Sequence, residues 1–376
     1  MRIERAKASD FEELMDFLVV AFHSPFRFET QLADLFQPEQ ASMENILILR
    51  ENNRIVASAG IFPIHLKLDG RPLVAQGVGC VGTHPGHRGK SLMSTLLDQA
   101  LTVINGRHPP FSWLSGYRHR YGRWGWERAG SILQLTLSGR NTHAVKSGGH
   151  RVSEVQYQDI PWNDILTLRE TERTRGDAPL AELKRKYMRP HLGFHLASAG
   201  GTTEAFAVTA GNTELVEFGG TRQGLLDLVV HLLKAAPSIT CEMPYTHGAF
   251  FAALDPLLEN VRVAANANYA IVDLLACLEL LAMTTPHELA ITGKGVNLRM
   301  TVGKLPEQKA FLGVENGHFV SGTDRKGFPT ISVDPMRAAG LLFGPIRPSI
   351  LLGSGEFRWL DALLPLPAFV PALYRV

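Results

Sequence analysis

The sequence is short of cysteine. Cys80, Cys241 and Cys277 lie far apart and share no metal-ligand spacing. This argues against a disulfide framework and a cysteine-based zinc site, and fits reduced thiols in a cytoplasmic protein. It also lacks an apolar run of the roughly 18 residues a membrane span needs. The nearest stretch, YAIVDLLACLELLAM (269–283), is broken by Asp273 and Glu279. The first residues, MRIERAKASDFEEL, are polar where a secretory leader is apolar. No block of one charge stands out: 38 Lys and Arg face 36 Asp and Glu, net +2. Neither a nucleic-acid nor a membrane partner is expected from bulk charge. What is present is ordinary globular material, 376 residues of which 45% are hydrophobic. That is enough for two or three domains.

Ser9-Asp10-Phe11-Glu12 reads as a capping box, and apolar residues at helical spacing follow to Phe22. Residues 25–40 suggest a second short helix. ILILR (46–50), RIVASAGIFPIHLKL (54–68) and RPLVAQGVGCVGT (71–83) are separated by turns and predict an antiparallel meander. A helix over 91–104, a strand at 110–116, a turn of helix and loop at 117–126, and a strand at 129–137 come next. VKSGGHR (145–151) reads as a linker. After a helical region (about 161–190) the order partly repeats: strands at 193–198, 203–210 and 213–220, a helix at 223–236, a strand at 238–243. From about 269 a helix leads into short strands, with a hairpin turn at Asn316-Gly317. Asp334-Pro335 caps a small helix. Three regions result, 1–147, 148–268 and 269–376, and the fold class is α+β with mixed sheets.

The stretch THPGHRGKSLM (83–93) places two glycines and two cations where a strand becomes a helix. A helix N-terminus offers free N–H groups and the positive end of the macrodipole. Glycine admits close backbone approach, so such a turn binds phosphate, with Arg88 and Lys90 adding charge. The competing reading is a plain strand-to-helix turn with solvated cations.

Order and motif together resemble the GNAT acetyltransferases, and more narrowly the enhanced-intracellular-survival (Eis) type. PGHRGKSLM (85–93) matches the pyrophosphate loop of that group at Pro85, His87, Arg88 and Leu92. It departs from it at Gly89, where arginine is usual, and at Ser91, where glycine is usual. LSGYRHRYGRWGWE (114–127) is similar to a second Eis-type segment, with Tyr121-Gly122-Arg123-Trp124-Gly125-Trp126 as the matching core. The resemblance implies two tandem GNAT domains, the second degenerate, and then a sterol-carrier-protein-like domain. It implies acetyl-CoA as cosubstrate, held by Val81, Gly82, Thr83, His87, Arg88, Gly89, Lys90, Ser91 and Leu92, and no metal. It also implies a homo-oligomer, a trimer or hexamer. The second junction, VEFGGTRQGLL (216–226), has one cation and carries Glu217, so it is expected to bind no acetyl-CoA.

Amine acetylation needs a base for the ammonium, N–H donors for the thioester carbonyl, and an acid for the departing thiolate. The resemblance implies Tyr121 as the acid, and a phenol of pKa about 10 suits it. A packed aromatic is the plain alternative. The resemblance also implies the terminal carboxylate, here on Val376, as the base; a frayed end is the alternative. His119 and Glu127 are further candidates. His84 and His87 lack a third metal ligand. Phe22, Phe26 and Trp113 are candidates for an acceptor pocket or for core, and Glu29 for attracting a cationic amine or for a solvated surface. The expectation is an N-acetyltransferase acting on a polyamine, amino sugar or lysine. The alternatives are an enzyme using a longer acyl-CoA, and a non-catalytic carrier whose GLLFGPIRPSILLG stretch (340–353) lines an apolar pocket.

Overall fold

The computed structural model describes residues 2–146, 148–245, 248–284, 289–302 and 306–376. A short strand β1 (Arg2–Arg5) leads to helix α1 (Phe11–Phe22) and the single turns α2 (Phe28–Gln31) and α3 (Gln40–Met43). The meander follows as β2 (Ile46–Glu51), β3 (Arg54–Leu68) and β4 (Arg71–Thr83). Then come α4 (Leu92–Asn105), β5 (Phe111–Leu114), the turn α5 (Arg118–Tyr121) and β6 (Glu127–Ser138). β1 was not expected; it pairs with β2. The expected Ser9–Glu12 box is replaced by Asp10, whose carboxylate accepts the Lys7 N–H at 2.8 Å.

The run Ile46-Leu47-Ile48-Leu49 shows why β2 is apolar throughout. Side chains alternate between faces along a strand. Ile46 and Ile48 pack with α1, while Leu47 and Leu49 join the cluster under α4. Both faces are therefore covered by helices.

The middle region holds β7 (Arg151–Val155), α6 (Trp162–Arg169), β8 (Arg175–Gly176) and α7 (Leu180–Tyr187). It continues through β9 (Leu192–Ala199), β10 (Thr202–Ala210), β11 (Glu214–Gly220), α8 (Arg222–Leu232), β12 (Ser238–Pro244), α9 (Gly248–Leu254) and β13 (Leu258–Ile271). The expected linker leads straight into β7; Ser147, inside it, lies outside the described residues. β13 is absent from the sequence reading, which started a helix at 269. The strand runs on to Ile271, and α10 (Leu274–Thr284) begins after it.

The main sheet has the order β1-β2-β3-β4-β5-β13-β6-β12-β11-β10-β9-β7, with β8 on β3. Three antiparallel strands, a helix and a parallel strand occur twice, as β2-β3-β4-α4-β5 and β9-β10-β11-α8-β12. The two runs are interleaved at the centre. β13, late in the chain, pairs with early β5, and early β6 pairs with late β12. One continuous sheet results.

The last region has a four-stranded sheet, β16-β15-β14-β17, built from β14 (Lys294–Met300), β15 (Gln308–Glu315), β16 (His318–Gly322) and β17 (Thr330–Ser332). Helices α11 (Pro335–Phe343) and α12 (Pro348–Leu352) follow. The Asn316-Gly317 turn has positive φ at both residues, 50° and 78°, as tight hairpins require. Asp334 caps α11 through the Arg337 N–H at 3.0 Å, as expected. The core does not stop at region borders: Phe111, Phe206, Tyr269 and Phe343 belong to one cluster.

Candidate active site

β4 and β5 run parallel and are paired at two positions, Gln76–Ser112 and Gly77–Trp113. Ser112 donates its hydroxyl to the Gln76 carbonyl at 2.8 Å, reinforcing the first of these two rungs. Beyond this point β4 continues to Thr83, while β5, paired along its other edge with β13 from Phe111 to Leu114, has no further partner in β4. The strands splay, and the β5-facing edge of β4 opens. Within that reach β4 bulges against β3, and Cys80 takes a left-handed φ of 52°. Backbone groups on such an edge are donors and acceptors for a ligand lying in the gap.

The loop after β4 is a tight turn from Pro85 to His87, and α4 starts at Leu92. Gly89 has φ of 80° with nothing within 4 Å of an added Cβ. Ser91 is left-handed at φ 58°. That conformation costs a non-glycine residue about 1–2 kcal/mol, which explains why glycine is usual here. The opening N–H groups of α4 have no intrahelical acceptors. Free N–H groups at a helix start are of the kind that can receive an anion such as phosphate.

The cations of the loop differ in their pairing. His87 Nε2 lies 2.7 Å from Glu51, and Lys90 Nζ 3.7 Å from the same carboxylate. The hydrogen bond from His87 holds the Glu51 carboxyl below its usual range. Arg88 has no carboxylate partner among the described residues; its guanidinium donates to the Ala21 carbonyl at 3.2 Å. Val81, Gly82 and Thr83 end β4, and Leu92 is buried under α4. His84 is a turn residue, its Nδ1 accepting the Gly86 N–H at 3.2 Å.

Tyr121 ends α5, and its ring is buried in the cluster with Val78, Leu92, Leu96 and Leu114. Burial pushes its hydroxyl above the usual pKa, against the opposing charge of Arg120. The hydroxyl makes no hydrogen bond among the described residues. The loop that carries it is fastened to α4. Trp124 donates to Asp98 at 2.8 Å, Arg123 bonds Ser94, and the Arg123 guanidinium lies 3.8 Å over the Trp124 ring. His119 is exposed, and Glu127 is engaged by Arg118 at 2.6 and 2.7 Å.

The last residue lies on the other face of β4. An ideal Cβ on Gly79 would stand 2.8 Å from the Val376 carboxyl carbon, and one on Gly77 2.6 Å from its Cγ2. Val376 packs beside Phe28, Leu32 and Cys80 on the α1 side. The Phe22 ring lies tilted against Phe28 at 5.3 Å and is 43% exposed; Phe26 is 55% exposed. Glu29 bonds Arg27 through one oxygen, while the other is sealed from solvent with no partner among the described residues. Trp113 stands apart from this group. It is fully buried in the central core and donates its indole N–H to Asn266 at 3.3 Å. Tyr121 and Val376 thus lie on opposite faces of the sheet, with the β4–β5 gap between.

Sequence reasoning missed Asn266 and Asn268. Asn268 donates to the Leu114 and Gly116 carbonyls at 3.3 and 2.9 Å, fixing the chain where β5 leaves β4. The polar pair in the apolar ANANYAI stretch was the available signal. The 340–353 stretch is divided between core and surface. Leu341, Leu342 and Phe343 are core, while Gly340, Pro345, Ile346 and Leu351 line an open cavity of about 480 Å³ with Met336 and Arg337.

Residues 2–129 match the family model described as an acetyltransferase (GNAT) domain. The class follows: this is an enzyme with a GNAT-type acetyltransferase domain, on a fold of mixed α/β sheets. No curated protein matches the sequence. Among solved structures, a probable N-acyltransferase of Enterococcus faecalis is 14% identical with TM-score 0.73, covering 97% of each chain. A GCN5-related N-acetyltransferase of Anabaena variabilis is 16% identical with TM-score 0.73, covering 98% of each. Eis1 of Mycobacterium abscessus is 16% identical with TM-score 0.69, covering 98% of this chain and 99% of that one. At these identities the three show a shared fold over nearly the whole length. No helix among the described residues is long and apolar enough to cross a membrane.

Proposed function

We propose that the protein is an Eis-type N-acetyltransferase that moves acetyl from acetyl-CoA to a primary amine. Its acceptor class is a polyamine, amino sugar or lysine. The observation that carries this reading is the gap between β4 and β5, which opens beside a phosphate cradle and separates Tyr121 from Val376. The pyrophosphate sits on the N-terminus of α4 with Arg88 as its unpaired cation. N–H groups of splayed β4 polarise the thioester carbonyl. The Val376 carboxylate takes a proton from the incoming ammonium on the α1 side. Tyr121, kept protonated by burial, gives its proton to the departing sulfur on the α4 side. An acid on the leaving-group face and a base on the nucleophile face is the arrangement direct transfer requires. Phe22, Phe26 and the half-satisfied Glu29 form the acceptor wall.

The reading extends to the organisation of the chain. Region 1–147 is the catalytic GNAT domain, 148–268 a second GNAT domain without cofactor, and 269–376 a sterol-carrier-protein-like domain in a homo-oligomer. At the second junction Thr221 already fills the cradle by accepting the Gly224 N–H at 3.1 Å. Calorimetric titration with acetyl-CoA tests the whole. One site per chain, followed by acetylation of an amine panel, is the expected result. No binding at millimolar acetyl-CoA overturns the reading, and two sites per chain overturn the assignment of the second domain.

A further inference from the structure

The tail reaches β4 through a buried polar junction that no part of the mechanism above uses. Tyr374 is two residues from Val376 and is 1% exposed. Its ring fits so closely against Gly176 that an added Cβ there would fall 2.0 Å from it. Its hydroxyl oxygen accepts from Arg169 Nη2 at 3.0 Å and from the Ala178 N–H at 3.3 Å. Arg169 is itself sealed, 5% exposed, bonded to Glu217 and, at 2.6 Å, to the Gly176 carbonyl. Tyr187 donates to the same Glu217 at 3.0 Å.

A second set of charges meets a face of the ring. Lys186 Nζ lies 4.8 Å over the Tyr374 ring centroid and 2.8 Å from Asp34, whose carboxylate is fully buried. Arg189 closes on Asp34 with two bonds, at 2.8 and 2.7 Å. Asp34 sits next to Leu35 and Phe36 and two residues from Leu32, in the same layer that packs Val376. The middle region thus grips both the tail and the acceptor-side wall. Burying this many charges is expensive and rarely favoured over apolar packing for stability alone. What it supplies is a fixed geometry, because directional bonds to a planar guanidinium permit one placement of the hydroxyl.

We propose that Tyr374, fixed by Arg169 and Lys186, is the positioning residue that sets the Val376 carboxylate against Gly79. The inference rests on the reading of that carboxylate as the base. Tyr374 touches no reacting atom; it acts through the three-residue lever to the terminus. A catalytic group displaced by about 1 Å loses on the order of 100-fold in rate. Removing the hydroxyl leaves the ring in its slot but frees its rotation and height.

The test uses the full-length protein in four forms: wild type, Tyr374→Phe, wild type with Val376 as its α-amide made by chemical ligation, and the two changes combined. Expected for Tyr374→Phe is a fall in kcat of at least about tenfold with the KM for acetyl-CoA held within about twofold, the pattern of a group acting in the transition state. Expected for the amide is a similar or larger fall. The decisive reading is the combination. If Tyr374 acts through the carboxylate, Tyr374→Phe costs nothing further in the amide background, because the group it positions is gone. An equal loss in both backgrounds means a merely structural role and overturns the proposal. Wild-type turnover of Tyr374→Phe overturns it as well, while leaving the base assignment intact if the amide is impaired. Wild-type turnover of the amide overturns the base assignment itself, and the positioning role with it.

Discussion

Gly79 faces Val376 so closely that a single methyl on the glycine would stand 2.8 Å from the terminal carboxyl carbon. Gly79 and Gly77 point to the tail, and Val78 between them points to the Tyr121 cluster. The strand's alternation therefore separates the two proposed proton-transfer groups onto opposite faces.

Gly79→Ala is expected to push the tail off β4. Overpacking of this kind costs about 1–3 kcal/mol, a modest loss of Tm, whereas turnover should fall far more than stability. Thermal unfolding beside steady-state kinetics checks this. Full activity would place the terminus outside the mechanism.

Arg88→Glu is expected to weaken acetyl-CoA binding at least about 30-fold, since a charged hydrogen bond of about 2–3 kcal/mol becomes a repulsion. Lys90→Ala should do less, because Glu51 already neutralises Lys90. Calorimetric Kd values for the pair decide it, and equal effects would contradict the pairing argument.

Tyr121→Phe should lower kcat by about 10²–10⁴-fold, the usual range for a positioned acid, with acetyl-CoA affinity unchanged. Burial raises the Tyr121 pKa above that of a free phenol. The acid form therefore persists through neutral pH, and its loss should appear only above about pH 10. A pH–rate profile that already falls on its alkaline side near neutrality would point to another donor.

His150 provides a pH test of stability away from the site. It lies 2.8 Å from Asp227 and 3.0 Å from Glu204, and the bond to Glu204 foremost raises its pKa, against its own desolvation. A raised histidine pKa stabilises fully below the unfolded value of about 6.5 and loses that contribution as pH rises through the folded value. Asp227 moves the other way. Burial opposes its charge, but bonds from Gly148 and His150 prevail and lower its pKa. Its contribution is present above about pH 4 and fades in stronger acid. The clamp is thus strongest between about pH 4 and 6.5. His150→Gln should lose stability most in that window and little at pH 9, as denaturant melts at three pH values would show.

Elements whose signals are local are readable from the residues alone. The hairpins turn at residues that tolerate positive φ, Asp334 caps its helix within one turn, and the cation-bearing loop opens α4 as its glycine and spacing require. The meander was legible because alternation and apolar runs report burial directly. Tertiary structure decided what depends on distant partners. β13 went unread because both sides of its first half, residues 259–263, are exposed; pairing with β5 and β6 makes it central. Arg88 and Lys90 are equivalent in the sequence, and only the arrival of Glu51 from β2 separates them. Trp113 and Phe22 are both large aromatics in candidate positions; one is sealed in the core and the other is 43% exposed beside Phe28. Above all, a chain's end carries no local signal of where it comes to rest. Val376 lies against β4, and Tyr374 beside it in the tail is bound by Arg169, 205 positions earlier, a long-range contact that no window of sequence contains.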